Sequence, residues 1–344
     1  MFLILLLLLV FAGAFLFTGL WLALAQRHKW IDLPNYRSSH VRPTPKSGGA
    51  GFVAAYSLFV LSMYAGQQLA AEHLLLVATG LLLAIMGFID DLRSLGIWQR
   101  IGLQTLAAVI ALILLEPVPP VVFPWGAFEP EWLRGLLLVS GLVWLINLYN
   151  FMDGIDALAA MEAIFFCLAL ALFTGAGGAE AVTTMSLGLA LAVSGFLYFN
   201  LPPARLFMGD LGSNYLGYIL GVLGGLAIQS GSVNIWTLLV LLGVFIVDTA
   251  ATLLGRMRAK LMWYHAHRSH AYQQAASRLD SHGRVVLFIG LLNVCWLLPL
   301  AWLTTVHESW GVIITVVAWI PLYLLGRIIR QPPQAPTATS QKSA

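Results

Sequence analysis

The stretch FLILLLLLVFAGAFLFTGLWLALA, residues 2–25, carries no charge and shows no alternation of apolar with polar residues. A helix needs about 20 mostly apolar residues to cross a bilayer, whereas a barrel strand alternates with period two over roughly ten. The stretch therefore reads as a helix in hydrocarbon, and the chain repeats it. Comparable runs fall near 1–25, 48–66, 73–89, 100–115, 132–149, 157–174, 181–199, 213–229, 235–254, 284–304 and 310–328. With 60% hydrophobic and 10% charged residues and a mean hydropathy of +0.86, the chain is excluded from the ordinary water-soluble domains. The expected fold class is all-α integral membrane, a polytopic bundle of about 11 transmembrane helices. One domain covers residues 1–330, and the Pro-, Ser- and Thr-containing end, 331–344, reads as a disordered tail.

Cys167 and Cys295 both lie inside apolar runs, which removes disulfide frameworks, CxxC metal sites and redox chemistry. The first run is too long for a signal-peptide core and lacks a basic leader, so it is kept as a span. When successive connections are assigned to alternate sides, every one of the 18 Lys and Arg except Arg134 falls in or beside the same set of segments. The positive-inside rule makes that side cytoplasmic, with the N-terminus periplasmic and the C-terminus cytoplasmic. The aspartates all lie in or near these inner segments too, which topology rules do not explain.

Five inner segments carry the chemistry. GFIDDLRSLG places Asp90 and Asp91 at the end of a span, where negative charge opposes the helix dipole. A solvated span end is one reading; a cation-binding pair is the other. WLINLYNFMDGIDAL offers Asn147, Asn150, Asp153 and Asp156, the last three spaced by three residues around Gly154. A helix cap would explain Asp156 and leave the others without a role. PPARLFMGDLGSNYLG sets Asp210 at a helix start, either as a cap or beside glycines that let N–H groups approach phosphate.

GRMRAKLMWYHAHRSHAYQQAASR fits an interfacial amphipathic helix, or a phosphate-binding segment built on Arg268 and His270. Its histidines lack the thiolates of a typical zinc site. YRSSHVRPTPKSGGAGF adds Arg42 and Lys46. Asp248, in FIVDTAATLLGR, lies inside a span, where an acid is functional or paired. Oxygen ligands beside basic groups suit Mg²⁺ and substrate phosphates, so the segments point to a phosphate-transferring enzyme with a water-soluble donor and a lipid acceptor.

Taken in order, PTPKSGG, GFIDDLRSLG, NLYNFMDGID, FMGDLGS and DTAATLLGR with the His segment resemble the polyprenyl-phosphate N-acetylhexosamine-1-phosphate transferases, glycosyltransferase family 4. The resemblance covers residues 1–328. It implies transfer of a sugar 1-phosphate from a UDP-N-acetylhexosamine to undecaprenyl phosphate, releasing UMP, with Mg²⁺ (or Mn²⁺) as cofactor. It also implies a bacterial inner-membrane enzyme with its active site on the cytoplasmic face, working among membrane lipids, with a homodimer possible and no nucleic-acid partner.

By the same resemblance Asp210 and Asn150 are the metal ligands, and Asp90, Asp91, Asp153, Asp156 and His270 belong to the catalytic set. Lys46, Arg42, Asn147, His267 and Arg268 are on the substrate side. At HRSHAYQ the chain departs from the common-antigen enzymes, having Tyr272 and Gln273 where they carry a His pair. That departure resembles the O-antigen-initiating branch and its 6-deoxy sugars. An ion-coupled transporter is the rival reading; its acids belong near the bilayer midplane on broken helices.

Overall fold

The computed structural model describes residues 2–34, 42–261 and 268–330. His267, and the tail expected at 331–344, lie outside the described residues. Every apolar run forms a helix: α1 (Phe2–His28), α2 (Gly49–Ala65), α3 (Ala71–Leu92), α4 (Ile97–Leu114), α5 (Glu131–Met152), α6 (Leu158–Ala176), α7 (Glu180–Asn200) and α8 (Gly209–Gln229). They are followed by α9 (Ile235–Leu241), α10 (Gly243–Arg258), α11 (Ala271–Leu279), α12 (His282–Leu292), α13 (Leu298–Val306) and α14 (Gly311–Ile329).

Among the described residues nine helical segments are long and apolar enough to cross a membrane, and the bent α9–α10 pair makes a tenth candidate. The eleventh expected run, α2, has 17 residues, just under the length of a full span. The chain is thus an all-α polytopic membrane protein.

Two runs expected to be continuous are not. Residues 235–254 break at Leu242, where α9 and α10 meet at 77°. Trp319 Nε1 donates to the Leu239 carbonyl beside that bend, at 3.1 Å. The run near 284–304 is interrupted by a π-helical turn, Asn293–Leu297, between α12 and α13.

Helix α8 is the axis of the bundle. Some 83% of its span is buried against 17% for α1, so α8 packs on protein all round while α1 faces lipid. Helices α3 and α5 both pack along α8. Gly87 lets α3 approach closely, because a Cβ there would collide with the Asp210 backbone. This crossing sets the end of α3 against the start of α8. A short ribbon, β1 (Ile31–Asp32) with β2 (Thr44–Pro45), pairs antiparallel at the same end. A second hairpin, β3 (Val121–Phe123) with β4 (Gly126–Phe128), follows α4.

Candidate active site

The end of α3, the end of α5, the start of α8 and the segment before α2 meet at one place. Their aspartates would repel one another if left unheld, and most are held. Asp91 Oδ2 accepts from Ser47 Oγ at 2.7 Å. The same carboxylate accepts from the backbone N–H groups of Asp210 (3.2 Å) and Leu211 (3.3 Å), capping α8 from a neighbouring helix. Gly209 makes this possible with φ +76°, and a side chain there would meet Asp91 Oδ2. The N–H groups expected to approach phosphate at this helix start are therefore taken by Asp91.

Asp90 Oδ1 accepts from Leu95 N–H at 2.7 Å, and its Oδ2 pairs with Arg100 at 3.2 Å. Both members of the pair thus have structural partners, and neither is a free base.

Asn150 Nδ2 donates to Asp210 Oδ1 at 2.7 Å and to Ser213 Oγ at 2.9 Å. The two residues read as metal ligands are thereby in contact, with the amide oxygen of Asn150 left over. Asp90 and Asp91 both act on Asp210 through their charge, and Lys46 acts on Asp91. Asp153, half-buried in the turn after α5, accepts no hydrogen bond from any described residue. Burial, and then the carboxylates of Asp210, Asp91 and Asp156, push its carboxyl well above the usual range.

Carboxylates crowded together with few compensating cations suit a divalent ion. Among the described residues no three His, Cys, Asp or Glu side chains converge closely enough to hold a metal unaided. Asp210, the Asn150 amide oxygen and substrate phosphates together make the kind of oxygen donor set that Mg²⁺ favours, so the residues fit the ion.

Other expected site residues take different parts. Asn147 donates to Gln104 Oε1 (2.7 Å), Gln104 donates to Asn214 Oδ1 (3.2 Å), and Asn214 donates to the Asp210 carbonyl (2.7 Å). This amide chain ties α5, α4 and α8 together, so Asn147 braces Asp210. Asp156, expected to be catalytic or a cap of α6, is 8% exposed. It accepts from Ala204 N–H at 3.0 Å and lies 3.2 Å from His282 Nδ1, clasping the 200–208 segment and α12 to the turn. Ala157 enters α6 instead, at φ +67°, its N–H held by Asn200 Oδ1 at 2.9 Å.

His270, expected to be catalytic, is only 2% exposed. Burial lowers its pKa, against the opposing effect of Asp248. Tyr272 and Gln273, which stand where the common-antigen enzymes carry a His pair, are also buried. The Tyr272 hydroxyl donates to the Phe151 carbonyl at 2.8 Å and so fixes the turn carrying Asp153 from behind. Lys46 is half-buried beside Asp91, while Arg42 and Arg268 are exposed.

Asp248 has the paired role that an acid within a span invites. It accepts from the N–H groups of Ala271 (2.9 Å) and Tyr272 (3.1 Å), and Arg330 reaches it at 3.4 Å. It thereby caps α11 from α10. Asp248→Ala leaves two buried donors without an acceptor and is expected to destabilise by about 2 kcal/mol. Thermal unfolding in detergent should show the lower Tm, with a lower kcat as Tyr272 releases the Asp153 turn.

Sequence reasoning missed Ser47, Ser213, Arg100, Asn200, His282, Gln104 and Asn214. Only the last two carried a signal, as amides within apolar spans.

Residues 73–230, which include Asp90, Asp91, Asn150, Asp153 and Asp210, match the family model described as glycosyl transferase family 4. The chain is 27% identical over 270 residues to the probable undecaprenyl-phosphate N-acetylglucosaminyl 1-phosphate transferase of Bacillus subtilis (strain 168), covering 76% of this chain and 74% of that protein. It is 29% identical over 313 residues to the decaprenyl-phosphate N-acetylglucosaminephosphotransferase of Mycolicibacterium smegmatis, covering 80% and 75% of the two chains. To the phospho-N-acetylmuramoyl-pentapeptide-transferase of Heliobacterium modesticaldum it is 33% identical over 238 residues, covering 63% and 70%. The chain thus belongs to glycosyl transferase family 4, the polyprenyl-phosphate hexosamine-1-phosphate transferases.

Proposed function

We propose that this enzyme transfers an N-acetylhexosamine 1-phosphate from a UDP-sugar to undecaprenyl phosphate, on the cytoplasmic face of a bacterial inner membrane. The observation that carries the reading is the contact of Asn150 with Asp210, with Asp91 capping the helix on which Asp210 sits. An oxygen of the lipid phosphate attacks the β-phosphorus of the UDP-sugar. One phosphoanhydride forms, another breaks, and UMP leaves with the bridging oxygen.

The second pKa of a phosphate monoester is about 6, so the attacking group needs no strong base at neutral pH. That agrees with Asp90 and Asp91 having structural partners. Mg²⁺ (or Mn²⁺) would be held by Asp210 and the Asn150 amide oxygen, and it supplies neutralisation of the diphosphate charge. Lys46 stands where it can balance phosphate oxygens, while Arg42 and Arg268 supply positive charge at the exposed edge. Asn147, Asp156, Tyr272 and Asp248 hold the reacting groups in position, which is most of what phosphoryl transfer asks of a protein.

The donor is proposed to be a 6-deoxy-N-acetylhexosamine nucleotide, and the step to be the start of O-antigen assembly. Support comes from Tyr272 and Gln273, which shape the turn holding Asp153. A pocket without a partner for the sugar O6 rejects the extra hydroxyl by only about 10²-fold, so weaker use of UDP-N-acetylglucosamine is expected. Purified protein with undecaprenyl phosphate and a panel of UDP-sugars tests this by UMP release. The ratio of kcat/KM for the two donors should move toward UDP-N-acetylglucosamine in Tyr272→His/Gln273→His. No UMP with any donor would overturn the reaction, and an unmoved ratio would overturn the sugar assignment.

Orientation has its own test. In a background with Cys167 and Cys295 replaced, a cysteine at Ser94 should resist a membrane-impermeant thiol reagent in intact cells, and one at Ala127 should react. Labelling at Ser94 would reverse the sides.

A further inference from the structure

A well-formed cavity lies away from the carboxylates. It is a groove of about 450 Å³ between α6 and the α12–π–α13 span, lined by Leu158, Phe165, Leu168, Leu172, Ile289 and Val294 among others. Leu168, Leu172 and Val294 are half exposed or more, so the groove opens toward lipid. In this apolar wall stand two polar residues, Glu162 (1% exposed) and Asn293 (2% exposed). Asn293 Nδ2 donates to Glu162 Oε2 at 2.6 Å.

The other carboxyl oxygen, Glu162 Oε1, and the amide oxygen, Asn293 Oδ1, have no hydrogen-bond partner among the described residues. A buried polar atom left unpaired costs about 1–3 kcal/mol, so a retained pair of them calls for an explanation. The helix also abandons α geometry at Asn293, where the π turn begins. Such turns occur often at functional sites. No Lys, Arg or His lines the groove.

We propose that this groove is a binding site for an uncharged lipid alcohol, with its chains along the apolar wall and its hydroxyl between Glu162 and Asn293. A hydroxyl is both donor and acceptor: with Glu162 protonated at Oε1 it accepts from that oxygen and donates to Asn293 Oδ1, and with Glu162 ionised it donates to one of the two. A phosphate headgroup finds no cation here, which separates this occupant from the phosphorylated acceptor and from the phospholipids. The site adjoins the catalytic end of the bundle: Leu158 follows the Asp153–Asp156 turn, and α12 begins at His282, the partner of Asp156.

The test uses the full-length protein in phosphatidylcholine nanodiscs with a diazirine-bearing diacylglycerol, labelled peptides being mapped by mass spectrometry. Label is expected on residues 158–172 and 286–298. It should fall about tenfold when the probe hydroxyl is methylated, the size of one buried hydrogen bond. Because that comparison uses the wild-type protein, no folding defect can obscure it. Glu162→Leu should lower the labelling similarly, while Glu162→Gln, which keeps polar atoms in place, should retain most of it. Equal labelling by the methylated probe, or stronger labelling of these peptides by a diazirine phosphatidylethanolamine, would overturn the proposal.

Discussion

Asp210→Asn is expected to lower kcat by about 10³-fold, in the range seen when a preorganised charge at a reacting phosphate or oxyanion is removed. Asn150 Nδ2 reaches Asp210 Oδ1 at 2.7 Å, so an amide at 210 still occupies the space and the helix start remains capped by Asp91. What disappears is the negative charge that would face the metal. The variant should therefore extract and unfold as a folded protein while losing turnover. Asn150→Ala should lower kcat too, and the double variant should lose far less than the product of the two, because the pair acts as one unit. Normal turnover of Asp210→Asn would remove it from the ligand set.

The second large effect runs in opposite directions for stability and activity. Asp153 has a folded pKa raised well above the ordinary aspartate value of 3.8 by burial and then by Asp210, Asp91 and Asp156. A carboxyl whose folded pKa is raised binds its proton more tightly in the native state. Its contribution to stability is therefore complete below about pH 4 and is lost as pH climbs through the raised folded value. At neutral pH the metal-free enzyme holds a carboxyl whose ionisation its surroundings disfavour.

Asp153→Asn is expected to raise Tm in EDTA at pH 7 and flatten its decline above pH 4, while lowering kcat by about 10²-fold. Mg²⁺ should narrow the Tm gap by compensating the same charges in the wild type. A lower Tm for the variant in EDTA would mean that Asp153 has a stabilising partner and that the site is not charge-crowded.

The bundle was legible in the sequence because span length and apolarity are properties of single segments; α3, α5 and α8 fall close to where their runs do. The breaks were not. The bend at Leu242 and the π turn at Asn293 lie inside runs whose hydropathy does not change, and what they meet comes from helices distant in sequence. In the site, Asp210 and Asn150 stood out in the sequence as polar residues of separate motifs, but their contact across 60 residues did not.

Asp156, Asn147 and Tyr272 show the limit from the other side. Composition marks a polar side chain at the membrane surface as functional, yet only its neighbours decide whether it faces substrate or holds another residue still. Asp156 is held by His282 and Ala204, neither of which any motif connects to it.

The central claim is that a sugar phosphate, not a bare sugar, moves to the lipid. A UDP-N-acetylhexosamine labelled with ³²P at its β-phosphate, incubated with the enzyme, undecaprenyl phosphate and Mg²⁺, distinguishes the two directly. Label is expected in the lipid extract and unlabelled UMP in the aqueous phase, with neither formed in EDTA or by Asp210→Asn. Label remaining with the nucleotide as UDP while the sugar appears on the lipid would contradict it.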